Sequence, residues 1–232
     1  MKNNNKIKDK NKNQDKIKNF LWRSIKMKKE VVVMAFDDSP HNREDLNHYR
    51  KQKEKLKDAH GPAHVDLIGV VFRGHQLLYC TQDKIEVDGL DSTNKIIDQV
   101  LNCPYLNEIR LILIDSPTLG GFNVVDSQLI YEKTKIPVLL LPDEKPKERM
   151  VNVYKKIFPQ RKEQISWLAS LPVLKSAVVK VNQNPVVEKR IYFHAVGIKT
   201  NEVKGLLNYL CEYSTIPEPL RTAHIIASRG RK

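Results

Sequence analysis

The sequence predicts an α/β fold: a mixed sheet, three antiparallel strands and then βα units, flanked by helices. Three observations predict it. Three apolar runs, Glu30–Phe36, Val65–Phe72 and Gln76–Cys80, come first, with only turns or charged sequence between them. Helical spacing then appears at Ile96, Ile97, Val100 and Leu101. Two further runs, Leu111–Ile114 and Pro137–Leu141, are too short for helices and alternate with helical sequence, the mark of buried parallel strands.

Each element follows from local chemistry. Residues 1–29 form a basic tail, read as disordered or partly helical. Residues 1–19 of it are Lys/Asn-rich and of low complexity, and Phe20, Leu21, Trp22 and Ile25 follow at helix-like spacing. The folded domain is assigned to 30–232. Glu30–Phe36 is β-branched and apolar and ends on Asp37-Asp38. Residues 41–62 are highly charged, close on Gly61-Pro62 and read as an insertion. Its His41, His48 and His60, with His64 just beyond, imitate metal-ligand spacing, but no apolar face holds them, so they read as surface histidines. Val65–Phe72 and Gln76–Cys80 flank Arg73-Gly74-His75 as a hairpin, which Ile85–Val87 extends or flanks.

Ser92 or Thr93 caps a helix that stops before Pro104. The central strand, 109–115, leads into a turn with Pro117, Gly120 and Gly121, then a short helix over Ser127–Thr134. After the strand Pro137–Leu141, residues 147–172 are helical with a break at Pro159. Ala177–Val181 and Pro185–Phe193 alternate as a late hairpin around Asn182–Asn184. Thr200–Glu212 turns Val203, Leu206, Leu207 and Leu210 inward, and Ile216–Lys232 holds a final helix. Strand, strand, strand, helix, strand, helix, strand is the order of the ribonuclease H-like fold, in which the first strand lies beside the fourth.

The 232 residues suffice for a substantial core. The net charge of +13 is uneven, with +8 in residues 1–30 and +5 in the rest. A mildly basic body with a strongly basic tail is compatible with a polyanionic partner. Cys80, Cys103 and Cys211 form no CxxC pair, which argues against a zinc site and fits a reducing cytoplasm. No apolar run has transmembrane length, and no apolar core follows the N-terminal charges, so neither a membrane nor a secretory signal is expected.

The chemistry concentrates on strand-end acids. In the ribonuclease H-like order Asp37 and Asp115 end adjacent strands, and Asp91, ahead of a helix, can approach the same edge. Carboxylates that close need a cation between them. Oxygen-only donors select Mg²⁺ or Mn²⁺, and such ions activate water and stabilise the leaving oxygen in phosphodiester cleavage. Strand-end aspartates also cap helices and turns, so a structural role stays open. Gly120 and Gly121 let backbone approach a sugar-phosphate or a flipped base. Phe122 could stack on that base and Asn123 bond its edge, the alternative being a tight turn with Phe122 in the core. Lys145, Arg73 and Arg221 are candidate phosphate-binding cations.

These stretches resemble the archaeal endonuclease dU family and, more distantly, endonuclease V. AFDDSP is similar to the first-strand acidic motif, GVVFRG and VDGLDST to the hairpin and following turn, and IPEPLRTAHIIA to the C-terminal motif. LILIDSPTLGGFNVVD followed by KIPVLLL is the most specific stretch. The resemblance implies a ribonuclease H-like fold and Mg²⁺- or Mn²⁺-dependent cleavage of DNA near uracil or hypoxanthine. It implies Asp37 and Asp115 as catalytic metal ligands and Asp91, or less readily Asp88, where endonuclease V has a glutamate. It also implies His224 near the metal, orienting water or moving a proton. The 41–62 insertion, Ser116 in place of a favoured Gly, and the basic tail depart from the family pattern.

The first reading is therefore a cytoplasmic Mg²⁺-dependent DNA-repair endonuclease, taken as a monomer, with DNA and possibly RNA as partner. The second is a non-catalytic nucleic-acid-binding module whose acids are structural. A nucleotide-hydrolysing protein is disfavoured, because neither GxxxxGK[ST] nor GxGxxG is present.

Overall fold

The computed structural model describes residues 30–39, 63–142, 147–171, 174–181 and 186–229. The basic tail, the 41–62 insertion with His41, His48 and His60, Lys145 and the Asn182–Asn184 turn lie outside the described residues.

Three strands open the fold: β1 (Val32–Asp38), β2 (His64–Arg73) and β3 (Gln76–Glu86). They form the expected antiparallel meander. β3 runs on through Ile85, because its residues stay paired with β2 as far as His64↔Glu86. Helix α1 (Ser92–Leu101) follows, then β4 (Ile109–Ile114), which lies parallel to β1. A two-stranded ribbon, β5 (Thr118–Leu119) with β6 (Asn123–Val124), carries the glycine turn. Next come α2 (Ser127–Thr134) and β7 (Val138–Leu140), parallel to β4.

Helices α3 (Lys147–Ile157) and α4 (Lys162–Ser170) break around Pro159, as that residue dictates. The late hairpin is β8 (Lys175–Val181) with β9 (Val187–Val196), followed by α5 (Thr200–Leu210) and α6 (Glu218–Ser228). Helix α6 starts where Pro219 supplies a pre-set first turn without needing an N–H partner.

The main sheet has the order β3-β2-β1-β4-β7-β9-β8. The late hairpin is thus not a separate unit. It joins the sheet through antiparallel β7–β9 pairing at Val138↔Val196, Leu139↔Ala195 and Leu140↔His194. With helices on both faces this is the mixed α/β architecture the element order predicts.

Side-chain alternation sorts the core into two layers. Val33, Ala35, Leu111, Leu113 and Leu139 face α5 and α6, meeting Leu206, Leu207, Leu220 and Ala223. Val32, Met34, Phe36, Ile112, Ile114 and Leu140 face α1 and α2, meeting Ile96, Val100 and Ile130. A third cluster, around Tyr154 and Leu168, joins α3 and α4 to the ribbon through Val124 and Phe122. Among the described residues, no helix is long and apolar enough to cross a membrane.

Candidate active site

β1 and β4 run parallel and in register, with Phe36 opposite Ile114. The Asp115 N–H donates to the Phe36 carbonyl at 3.3 Å, so Asp37 and Asp115 come level at the C-terminal ends of adjacent strands. Asp37 continues the Val33–Ala35 alternation toward the α5/α6 layer, and Asp115 continues that of Leu111 and Leu113. Helix α6 packs over the same face. From it His224 reaches down, placing Nδ1 2.8 Å from Asp37 Oδ2. The Asp37 side chain is 7% exposed and that of His224 62%, so the histidine forms the solvent side of the pair. Asp37 Oδ1 also accepts the Asp38 N–H at 2.8 Å. The structure thus brings Asp37, Asp115 and His224 to one face at one edge.

Asp38, next along β1, must face the opposite layer. There its Oδ2 accepts the Gly120 N–H at 3.0 Å. Burial first, and Asp37 second, push its carboxyl up to about 7, against the lowering effect of the Gly120 and Asp38 N–H groups and His224. Asp38 was not a candidate from sequence. The signal was present, since consecutive acids at a strand end necessarily point to both faces.

Asp91 is not gathered with Asp37 and Asp115. Its carboxylate accepts the Asn123 amide at 2.6 Å and the Glu86 N–H at 3.2 Å, in the loop that leads to α1. Asp88, at φ +54°, is engaged nearby and accepts the Phe122 N–H at 3.0 Å. Among the described residues, no three His, Cys, Asp or Glu side chains are grouped closely enough to hold a metal by themselves. Among the described residues, Asp91 is instead bonded to the ribbon and the end of β3, ahead of helix α1, which packs on the other layer of the sheet.

The glycine turn is stapled to the loop before α1. Asn123 is fully buried; its amide donates to the Glu86 carbonyl (2.9 Å) and to Asp91, and its Oδ1 accepts the Ser92 N–H (3.1 Å). Every polar atom of that side chain is used inside the fold, so the structure corrects its assignment as a reader of base edges. Phe122 meets Tyr154 and Phe158 edge-on, with ring centroids 5.9 and 6.1 Å apart, and anchors α3 rather than standing ready to stack on a base. Gly120 (φ +50°) is buried and Gly121 (φ +83°) half-buried; a Cβ at Gly120 would meet Val65 and Ile85 at 3.2 and 3.3 Å.

Of the basic candidates, Arg73 stands opposite Val32, at the other end of β1 from Asp37, and pairs with Glu108. Five residues of strand separate it from the acids, about 17 Å, which removes it from this site. Arg221 lies one turn before His224 on α6. Its guanidinium is held by buried Glu218, at 2.6 and 2.8 Å, and Glu218 also accepts the Tyr213 N–H. This clasp, invisible in the sequence, fixes the loop that enters α6. A cleft opens from Asp115 between β9 and that loop, lined by Pro142, Lys189, Tyr192, Ile216 and Leu220.

Residues 29–230 match the endonuclease dU family. The chain is 34% identical over 165 residues to a UPF0215 protein of Methanosarcina barkeri, covering 71% of this chain and 81% of that one. It is 32% identical over 216 residues to a UPF0215 protein of Methanothermobacter thermautotrophicus, covering 91% and 92%. A solved protein of unknown function from Archaeoglobus fulgidus superposes with a TM-score of 0.65 at 24% identity, covering 86% of this chain and 99% of that one. Endonuclease V of Ciona intestinalis, solved with a 24mer DNA containing an inosine followed by a ribo-adenosine, superposes with a TM-score of 0.51 at 14% identity, covering 93% and 95%. At those identities the two superpositions speak for the fold, which is ribonuclease H-like.

Proposed function

The chain belongs to the endonuclease dU family, and from that premise we propose that it is a metal-dependent endonuclease cutting DNA at or near a deaminated base. Membership supports the nuclease class; the site supports the finer reading. The observation that carries it is the pair Asp37 and Asp115, level on adjacent parallel strand ends, with His224 Nδ1 2.8 Å from Asp37 Oδ2. Open α/β sheets collect ligands at this edge.

The donor set fits Mg²⁺ or Mn²⁺. Two carboxylates offer hard oxygen donors, and Mg²⁺ commonly takes only one or two protein carboxylates, filling its remaining positions with water and substrate phosphate. When bound, the ion would supply an activated water and charge stabilisation at the scissile phosphate. Asp37 and Asp115 would hold it. His224, partly in solvent, receives or delivers a proton at Nε2 while Nδ1 stays oriented by Asp37. Asp38 and Asp88 hold the glycine turn from below, through the Gly120 and Phe122 N–H groups, and so fix the floor beside the acids. Deaminated bases pair poorly, which lowers the cost of extruding one toward such a turn.

The test is cleavage of labelled duplexes carrying one uracil or hypoxanthine, with Mg²⁺ or with EDTA, by wild type and Asp115→Asn. Wild type cuts only with metal, and Asp115→Asn binds but does not cut. Equal cutting by both proteins removes Asp115 from the chemistry. A second reading, the non-catalytic nucleic-acid-binding module, draws on the lack of a three-ligand group among the described residues. It predicts salt-sensitive binding with no cutting by either protein.

A further inference from the structure

We infer that Lys189, on the overhanging end of β9, holds a backbone phosphate of a nucleic-acid strand running through the cleft that opens at Asp115. This rests on the nuclease reading and gives that site its substrate track.

The geometry comes from strand register. Ile114 is level with Leu140, and Leu140 with His194. Beyond His194, β9 loses β7 as a neighbour and continues only against β8, from Phe193 to Val187. The hairpin therefore projects past the carboxylate edge. Lys189 lies four residues beyond the level of Asp115, roughly 13 Å along the strand. Its alternation is that of Ile191 and Phe193, whose side chains join the α5/α6 layer. Lys189 is thus on the same face of the sheet as Asp37, Asp115 and His224; its neighbour Arg190 also lines the cleft, but its guanidinium donates to Ser176 Oγ at 3.4 Å.

The cleft has the chemistry of a strand track. Asp115 stands at one end and exposed Lys189 on one wall, with Tyr192 beside it and Ile216, 41% exposed, on the other wall. A cation set back by roughly 13 Å along the strand direction, and two strands over from β4, does not neutralise the carboxylates. It suits the next phosphates of a strand whose scissile phosphate sits at the acids, with apolar and aromatic walls for sugars and bases. The hairpin charges support this selection: among the described residues Lys189 and Arg190 both line the cleft, but Arg190 is engaged with Ser176 and Lys180 is paired with Glu188, so Lys189 is the cation assigned to the phosphate.

The experiment reads binding without cutting, so its outcome is independent of whether the protein cleaves. In the Asp115→Asn background, affinity for a uracil-containing oligonucleotide is measured against salt for Lys189, Lys189→Gln and Lys189→Arg. A scan of single methylphosphonates then neutralises one phosphate at a time. Lys189→Gln is expected to lower the slope of log K against log salt by about one and Lys189→Arg to restore it. One methylphosphonate position near the deaminated base, but not adjacent to the scissile bond, should weaken the parent and leave Lys189→Gln unaffected. An unchanged slope with the same methylphosphonate profile in all three proteins, or no nucleic-acid binding at all, overturns the inference.

Discussion

Asn123→Ala separates a structural from a base-reading role for the glycine turn. The side chain is fully buried and makes two hydrogen bonds to neutral backbone groups, Glu86 O and Ser92 N, and one to the Asp91 carboxylate. Neutral bonds are worth about 1 kcal/mol each and a bond to a charged group about 1.5–3, so truncation costs roughly 3–5 kcal/mol. The loss falls on a junction, since Ser92 and Thr93 hydroxyls donate to the Val124 carbonyl across the same seam. In a domain of this size each kcal/mol moves the midpoint by about 2–4 °C, which puts the expected fall near 10 °C. The assay is thermal and urea unfolding, together with the ratio of uracil to hypoxanthine cleavage below the transition. A variant with unchanged midpoint but altered base ratio would refute the reasoning and return Asn123 to the substrate.

Two further outcomes follow from the same geometry. Arg73→Ala should leave DNA binding and cutting unchanged and cost less than about 1 kcal/mol, because its partner Glu108 is an exposed surface acid; a lost activity would show that the far end of the sheet contacts substrate. Asp38 gives a pH signature in metal-free buffer. Its carboxyl rises from the ordinary 3.8 to about 7 in the fold, so between those values the folded chain keeps a proton that the unfolded chain has lost. Stability therefore falls as pH rises from about 4 to 7, by at most about 4 kcal/mol and less where solvent reaches the group. Asp38→Asn, followed by urea midpoints at pH 5 and pH 8, should flatten that fall; an identical slope in the variant would assign it to other groups.

The sequence by itself determined the element order and the strand-end acids. Period-two and period-3.6 patterns are local, and Val32–Asp38, Ile109–Ile114 and Ser127–Thr134 lie within a residue or two of where patterning puts them. The order also placed β1 beside β4, which brings Asp37 level with Asp115. Only the tertiary structure decided which face each acid serves, where β9 pairs, and what the turn residues touch. Asp91, ahead of a helix, can approach the acid edge as far as the chain order tells, yet that helix packs on the opposite layer and the Asp91 carboxylate accepts from Asn123. Arg73 is a strand-end cation like any other until antiparallel pairing sends it to the far end. Asn123 and Phe122 read equally as base contacts or as parts of a tight turn with Phe122 in the core, until Asp91, Ser92, Tyr154 and Phe158 close around them. The reason is physical: a residue's backbone state depends on its immediate neighbours, whereas its partners come from segments tens of residues away, brought near only when the sheet and both helical layers close together.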